Sequence, residues 1–439
     1  MTVTRSSGLS IGYLIQEFPP EGGAGPARAA EMSARWIANG ARVTVVTGMP
    51  NRRLPGRADG DLHPEYRGRY FTDDYWRGIR VLRSWAYASS KKSFLRTIIN
   101  NGSFMTTGAA HALARLGRPD VLIASSPPFL PHLAGAIVAG LRRVPLVLEV
   151  RDLWPDYLVG LGMLEREGAA ARSLFELERW LLKRAAHVVV VTESFRKRII
   201  GKGVHPERVS VISNGVDTTS YRPDNSAPPI AALERKGAEF LVGYLGTFGA
   251  GQALSAIVDA AAILATEAPD VKLALVGEGP DWNRVKQRAA ELRLTNLVIE
   301  RSIERSSTRA FYNSLDLCLV PLASVDIFQE TVPSKIFEIM ACGRPVLASL
   351  RGEAEAIVRS SGGGTTVAPG DARAIADGIK SIRSMSPGAR LAMGERGMAY
   401  VRDNYRREVL ADRYLEILHS VAKGSRRVAS RPLNAEGVL

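Results

Sequence analysis

Two doubly wound α/β domains, facing each other across a cleft, are predicted by three features of the sequence. The chain has 439 residues, too many for one ordinary core and enough for two. Short β-branched runs alternate with helical stretches along most of it, the rhythm of parallel sheets covered by helices on both faces. A glycine-rich turn follows the first strand of each half. Open α/β sheets bind ligands beyond the carboxyl ends of their strands, and two such sheets place those ends around one cleft.

The elements follow in order. Ser10–Ile15 is an apolar run, and a helix from about Ala27 to Asn39 has Pro26 near its first turn and Gly40 past its end. Arg42–Thr47 is the next strand, and Val121–Ala124, Leu146–Val150, Val188–Thr192 and Val209–Ile212 repeat the pattern. The stretch Ala169–Arg184 between them is helical. Prolines 223, 228 and 229 cluster in a polar segment from Tyr221 to Gly237, which reads as a linker. Beyond it the strands are Phe240–Leu245, Val271–Val276, Leu297–Glu300, Leu315–Pro321 and Pro345–Ala348. Helices are expected over Gln252–Ala265, Asp281–Leu292 and Lys335–Ala341. The domains are therefore 1–222 and 223–399, with a last helix at about 400–423 returning to the first domain and a basic, disordered tail over 424–439.

Composition narrows the function. A hydrophobic fraction of 46% and a charged fraction of 23% describe a globular protein. The formal charge is 58 − 44 = +14, which favours an anionic partner. Cys318 and Cys342 sit in apolar runs, suiting buried, inert thiols in a reducing compartment. The first ten residues have no signal-peptide core, and the most apolar stretch, Pro127–Val150, is interrupted by Arg142 and Arg143. A cytoplasmic protein without a spanning helix is expected.

The densest chemistry lies in Glu330-Thr-Val-Pro-Ser-Lys-Ile-Phe-Glu338. Glu338 falls inside an apolar helix, where a charge is costly unless paired or turned to a polar ligand. Ser334 suits the N-cap, so free backbone N–H groups are expected at the helix start, with Lys335 beside them. Such a site suits a sugar nucleotide: cations for pyrophosphate, acids for hydroxyls. Glu338 capping a neighbouring loop is the competing reading. In Arg151-Asp-Leu-Trp-Pro-Asp156, at a strand end, Arg151 is placed to hold an acceptor phosphate and Asp152 to orient or deprotonate an acceptor hydroxyl, or to cap a helix. Asp59-Gly-Asp61 and six scattered histidines give no metal-ligand spacing, so no metal and no bound cofactor are expected. Gly246-Thr-Phe-Gly-Ala-Gly251 lacks the spacing of a dinucleotide fingerprint. Residues 62–96 hold eight Lys/Arg, three acids and eight aromatics, a mixture compatible with an anionic membrane, nucleic acid or a solvated face.

With these segments in this order, the chain resembles the family 4 retaining glycosyltransferases of GT-B fold, over roughly Ile11 to Tyr405. Glu330 and Glu338 match the family's Glu-x7-Glu pair. Arg151–Asp156 and Pro333-Ser-Lys335 resemble the branch that builds bacterial surface polysaccharides. The resemblance implies that Glu330 contacts the transferred sugar and Glu338 the ribose, with Lys335 and Asp152 as the other catalytic candidates. It adds Gly23, Gly246, Thr247, Gly249, Gly277, Glu278, Gly279, Ile303, Pro333 and Ser334 on the donor side, and Gly22, Arg151 and Trp154 on the acceptor side. The loop Gly246–Gly251 departs from many relatives in having no cation. The implied donor is a UDP-sugar, and the implied acceptor a glycan or polyprenyl-pyrophosphate-linked glycan. Membrane contact at the inner face of the cell membrane is favoured over nucleic acid. A sugar-nucleotide epimerase and a non-catalytic sugar-nucleotide binder are the rival functions.

Overall fold

The computed structural model describes residues 8–51, 54, 61–88, 94–224, 233, 237 and 239–429. It divides into two compact units, with boundaries between Ser213 and Asn214 and between Arg407 and Glu408.

The first unit is built on eight strands: β1 (Ser10–Leu14), β2 (Arg42–Gly48), β3 (Phe71–Trp76), β4 (Ile79–Ser84), β5 (Val121–Ser126), β6 (Leu146–Val150), β7 (His187–Val190) and β8 (Val209–Val211). They lie in the order β3-β4-β2-β1-β5-β6-β7-β8, and only the β3–β4 hairpin is antiparallel. Chain direction across the sheet reverses between β1 and β5, so the loops leaving those strands flank a switch point. The period-2 alternation turns Ile11 and Tyr13 of β1, Val43 and Val45 of β2 and Ile123 of β5 into one core. Helix Ala24–Ala38 covers that face with Trp36, whose indole stands edge-on to Tyr414 at 5.2 Å and donates to the Ala411 carbonyl at 2.9 Å. The C-terminal helix, Arg407–Ala429, is thereby fixed to the first unit. On the opposite face, Gly135 of helix Leu130–Arg142 presses directly on the Ala124 side chain of β5.

The second unit carries β9 (Phe240–Leu245), β10 (Val271–Val276), β11 (Leu297–Glu300), β12 (Leu317–Pro321), β13 (Val346–Ser349) and β14 (Gly364–Val367). All neighbours are parallel, in the order β11-β10-β9-β12-β13-β14, with the reversal between β9 and β12.

Several expectations shift. The first boundary falls earlier than 222/223, because the Arg222 carbonyl accepts from the Asn313 side chain and Val216 bridges Arg406. Helix Pro387–Asn404 belongs to the second unit, where Gly394 meets the backbone of Gly343. The last helix continues through residues 424–429, which composition alone assigned to a tail. Residues 430–439, most of the expected linker and Asp59 lie outside the described residues. The apolar stretch 127–150 is a helix and a buried strand, and no described helix is long and apolar enough to cross a membrane. Cys318 and Cys342 are buried, and burial pushes both thiols far above their usual range. In the 62–96 segment, Arg80 pairs with Asp73 at 2.5 Å, while Arg83 is buried against Asp74 at 3.3 Å and donates to the Pro19 carbonyl at 2.6 Å. Two of its eight cations, Arg80 and Arg83, are thus paired with acids of the hairpin.

Candidate functional site

In the second unit, the donor-side candidates all lie beyond the carboxyl ends of β9 to β12. The loop after β9 carries Gly246, Thr247 and Gly249; that after β10 carries Gly277, Glu278 and Gly279; Ile303 follows β11. These loops rest backbone on backbone. Gly246 donates to the Val276 carbonyl at 3.0 Å and Phe248 to the Glu278 carbonyl at 2.8 Å. A Cβ on Gly277 would fall on the Gly246 carbonyl, so only glycine permits that approach.

After β12, residues 326–329 form a short helix whose Phe328 packs on Gly251, and Glu330 follows at its end. Helix Lys335–Ala341 begins five residues after Glu330 and buries Ile336, Phe337, Ile339 and Met340. That leaves Lys335 and Glu338 on its half-buried side. The Lys335 ammonium reaches back over the Tyr244 ring, 4.0 Å from its centroid, and sits where a Cβ of Gly246 would be. Burial lowers its pKa to about 7, against the attraction of Glu338. Tyr244 is held in place by donating to the Thr247 carbonyl at 2.7 Å. Glu338 accepts from the Tyr312 hydroxyl at 3.3 Å and lies 3.8 Å from the Arg305 guanidinium.

The helix start differs from expectation. Ser334 occupies the N-cap position but makes no side-chain cap. The N–H groups of Ile336, Phe337 and Glu338 are already taken by the carbonyls of Pro333 and Ser334, at 3.1 to 3.4 Å. The positive end of this site is therefore chiefly the Lys335 ammonium. Glu278 is half-exposed, 3.6 Å from Arg301.

In the first unit, Gly22 and Gly23 follow β1, and Arg151, Asp152 and Trp154 follow β6. Glu21 shapes the glycine turn by accepting from the Asn51 N–H at 3.0 Å and the Phe18 N–H at 3.3 Å. Arg151 donates to Ser125 Oγ at 3.2 Å and lies against Gly25, where a side chain would displace it. Trp154 stacks on Phe129 at 6.1 Å with planes 3° apart. Asp152 lines a small cavity with His132, Trp154 and Glu178, and desolvation there raises its pKa to about 6 against the pull of Arg151.

Sequence reasoning missed the group beneath this edge. Glu149, in the middle of a buried parallel strand, accepts from Tyr13 at 2.6 Å, Ser125 at 2.7 Å and Arg28 at 3.0 Å. Arg28 spends its other nitrogens on the Ile212 and Ser213 carbonyls, both at 2.8 Å. A glutamate within Leu-Val-Leu-Glu-Val was the available signal, since a charge in such a strand demands partners. Tyr244, Tyr312 and Arg305 had no comparable signal.

Comparison with known proteins adds what the geometry leaves open. Residues 22–215 match the model of a glycosyl transferase 4-like domain, and residues 239–384 that of glycosyl transferases group 1. The chain belongs to the family 4 glycosyltransferases. It is 27% identical over 273 residues to WbjE of Pseudomonas aeruginosa, a probable glycosyltransferase, covering 61% of this chain and 67% of that protein. It is 22% identical over 347 residues to WcaL of Escherichia coli K12, named for colanic acid biosynthesis, covering 79% and 80%. Sucrose-phosphate synthase from Thermosynechococcus elongatus shares the fold of this glycosyltransferase with TM-score 0.74 at 19% identity, covering 95% of this chain and all of that one. WaaG, a glycosyltransferase of lipopolysaccharide biosynthesis, does so with TM-score 0.64 at 16% identity, covering 93% and 99%. The fold is GT-B, two parallel-sheet α/β domains.

Proposed function

We propose that this glycosyltransferase moves a hexose or N-acetylhexosamine from a UDP-sugar, with retention at the anomeric carbon, onto a glycan or polyprenyl-pyrophosphate-linked glycan during surface-polysaccharide synthesis. The observation that carries the donor side is the Lys335 ammonium lodged against the Gly246 turn. A cation drawn out of water beside a glycine turn at a sheet's switch point suits a diphosphate. The similarity in fold to Anabaena HepE, solved in complex with UDP-glucose, supports a nucleoside diphosphate donor.

In this reading the acceptor oxygen attacks the anomeric carbon from the side the diphosphate leaves. The sugar C–O bond to phosphate breaks, and the acceptor's proton passes to the departing phosphate oxygen. Lys335 stabilises the charge that develops there. Glu330 positions the sugar and Glu338 accepts from the ribose hydroxyls, with Tyr312 and Arg305 fixing the latter carboxylate. Arg151, Trp154 and Gly22 hold the acceptor in the first unit, Asp152 orients its hydroxyl, and Gly23 faces the donor. Because Lys335 supplies the positive charge, activity in EDTA is expected to equal activity in magnesium or manganese.

The test is a thermal-shift panel of UDP, GDP, ADP and UDP-sugars with the wild type and Glu338→Gln. Ligand at a hundred times its dissociation constant adds about 2.7 kcal/mol, a rise of several degrees. Stabilisation by UDP that Glu338→Gln diminishes is expected. No response to any nucleotide, or an undiminished one in the variant, overturns the assignment.

A further inference from the structure

The hairpin side of the first unit carries a groove that the proposed transfer reaction does not use. Strand β3 is the edge of its sheet, and alternation sorts its side chains between two faces. Thr72, Asp74 and Trp76 turn one way, where Trp76 meets Phe18 edge-on at 5.7 Å and Asp74 meets Arg83. Phe71, Asp73 and Tyr75 turn the other way. Helix Phe94–Arg115 packs over β2 and β4 and leaves that outer face of β3 open, with Phe71 and Tyr75 48% and 74% exposed. Between the end of the helix and the strand lies a groove of about 400 Å³, whose lining includes Phe71, Asp73, Ala110, His111, Ala114 and Arg115. Small-molecule sites have roughly 300–1,000 Å³.

The lining combines an apolar wall with groups for hydroxyls and for an acid. The Phe71 ring lies 4.8 Å from the His111 ring, and burial lowers the His111 pKa, so this wall is uncharged at pH 7. Ser84 Oγ fixes His111 at 3.2 Å, and Ala110 and Ala114 offer only methyl groups, which keeps the space open. Arg80 grips Asp73 with two bonds, at 2.5 and 3.0 Å, so acceptor and donors stand side by side. A sugar hydroxyl both donates and accepts, and matches such a pair. The C–H face of a sugar ring suits the negative face of an aromatic ring. Arg115 is exposed and pairs with no carboxylate among the described residues. Two guanidiniums thus stand against one carboxylate, and the Arg115 fork suits a carboxylate from the ligand. A phosphate-rich ligand fits less well, because Asp73 stands on the same wall.

We propose that this groove binds an acidic glycan, with a sugar ring against Phe71, hydroxyls on the Asp73–Arg80 pair and a uronic acid carboxylate on Arg115. Five strand spacings separate β3 from β6 in the sheet, about 24 Å, so the groove is distinct from the edge that carries Arg151 and Trp154. A glycan held there stays near the first unit between transfers, since one contact raises the effective concentration for a second. That use rests on the glycan acceptor proposed above; binding in the groove does not.

The test is fluorescence anisotropy of labelled oligomers with the full chain, at about 0.15 M salt, where long-range attraction between exposed charges is screened. The probes are alginate and hyaluronan oligosaccharides, whose uronic acids differ in configuration, a neutral dextran oligosaccharide and an oligoglutamate peptide. The wild type is expected to bind at least one uronic acid chain and neither of the other two. Phe71→Ala, which changes no charge, should weaken that binding about fivefold, and Arg115→Gln about tenfold. Lys286→Gln, at an exposed position of the second unit, should leave it unchanged. All three variants should keep the wild-type melting curve and the wild-type response to UDP, which separates failure here from failure of the nucleotide site. A wild type that binds neither uronic acid chain, or binding that Phe71→Ala and Arg115→Gln leave intact, overturns the proposal. So does equal binding of oligoglutamate, which would make this face a general polyanion surface, or of dextran, which would leave Arg115 without a role.

Discussion

Arg28 and Lys335 are both cations drawn out of water near the carboxyl edge of a parallel sheet, and the two units treat them in opposite ways. Arg28 is 1% exposed and surrounded by acceptors: the Glu149 carboxylate and two backbone carbonyls engage all three of its nitrogens. Burial alone would raise the Glu149 carboxyl, but Arg28 and Arg151, with hydrogen bonds from Tyr13 and Ser125, hold it below its usual range. Lys335 has an aromatic face and a glycine turn, and burial holds its pKa near 7. A satisfied buried charge organises the fold; one with room for an anion is a place for substrate.

The largest expected effect breaks the first half of that contrast. Arg28→Met leaves Glu149 buried without its counter-ion and should cost about 3–5 kcal/mol, seen as a strong drop in the melting temperature. Adding Glu149→Leu should recover much of that loss, because replacing both partners removes the stranded charge. A single variant that melts like the wild type would mean the pair is not structural.

Lys335→Met should do the reverse. Transfer should fall about 10²–10³-fold, as when a group stabilising developing charge is removed, while the melting temperature at pH 7 holds or rises. The sign follows from linkage. Folded Lys335 binds its proton less tightly than the unfolded side chain, whose value is 10.5, so its contribution to stability is present above that value and lost as pH falls through about 7. An arriving diphosphate pulls the proton back on. Calorimetry of UDP binding at about pH 8 in buffers of different ionisation enthalpy should therefore show proton uptake in the wild type and none in the variant. Equal uptake in both would place the titrating group elsewhere.

Much of this was legible in one sequence, for identifiable reasons. Glu330, Lys335 and Glu338 are close along the chain, so spacing alone brings them near one helix start. β9 and β10 are six-residue, mostly apolar runs, readable by pattern. Glu149 and Arg28 stand 121 residues apart, and only the sheet order joins them. β14, Gly364-Thr-Thr-Val367, is too short and polar to announce a strand, and exists because β13 offers it a partner. The missing cap on Ser334 has the same origin: the chain enters helix Lys335–Ala341 already in helical geometry, with φ −59° and ψ −26° at Ser334.

Asp152 sharpens the comparison from the first unit. Its carboxyl holds a proton to about pH 6, against 3.8 in the unfolded chain. The stability it contributes is thus full below pH 3.8 and lost as pH rises through about 6. Asp152→Asn should match the wild type at pH 4 and exceed it at pH 7.5 by about 1 kcal/mol, allowing for partial solvent access. If the variant also loses transfer while keeping UDP binding, the acceptor role is supported; unchanged transfer would leave Asp152 a structural acid.

The smallest effect tests the turn beside Lys335. Ala253 stands at φ +46°, ψ +40°, the left-handed region, at the entry to helix Leu254–Glu267. A side chain there carries a penalty that glycine lacks, about 1 kcal/mol. Glycine also loses more backbone freedom on folding, which offsets part of the gain, so Ala253→Gly should stabilise the protein by about 0.5 kcal/mol or somewhat more. The position lies one residue beyond the 3₁₀ turn Ala250–Gln252, whose Gly251 packs on Phe328 ahead of Glu330. If the strain serves only to close that turn, stability rises and UDP affinity is unchanged. If it holds the loop in its binding geometry, the same substitution raises stability and weakens UDP binding, and the left-handed alanine is then part of the donor site.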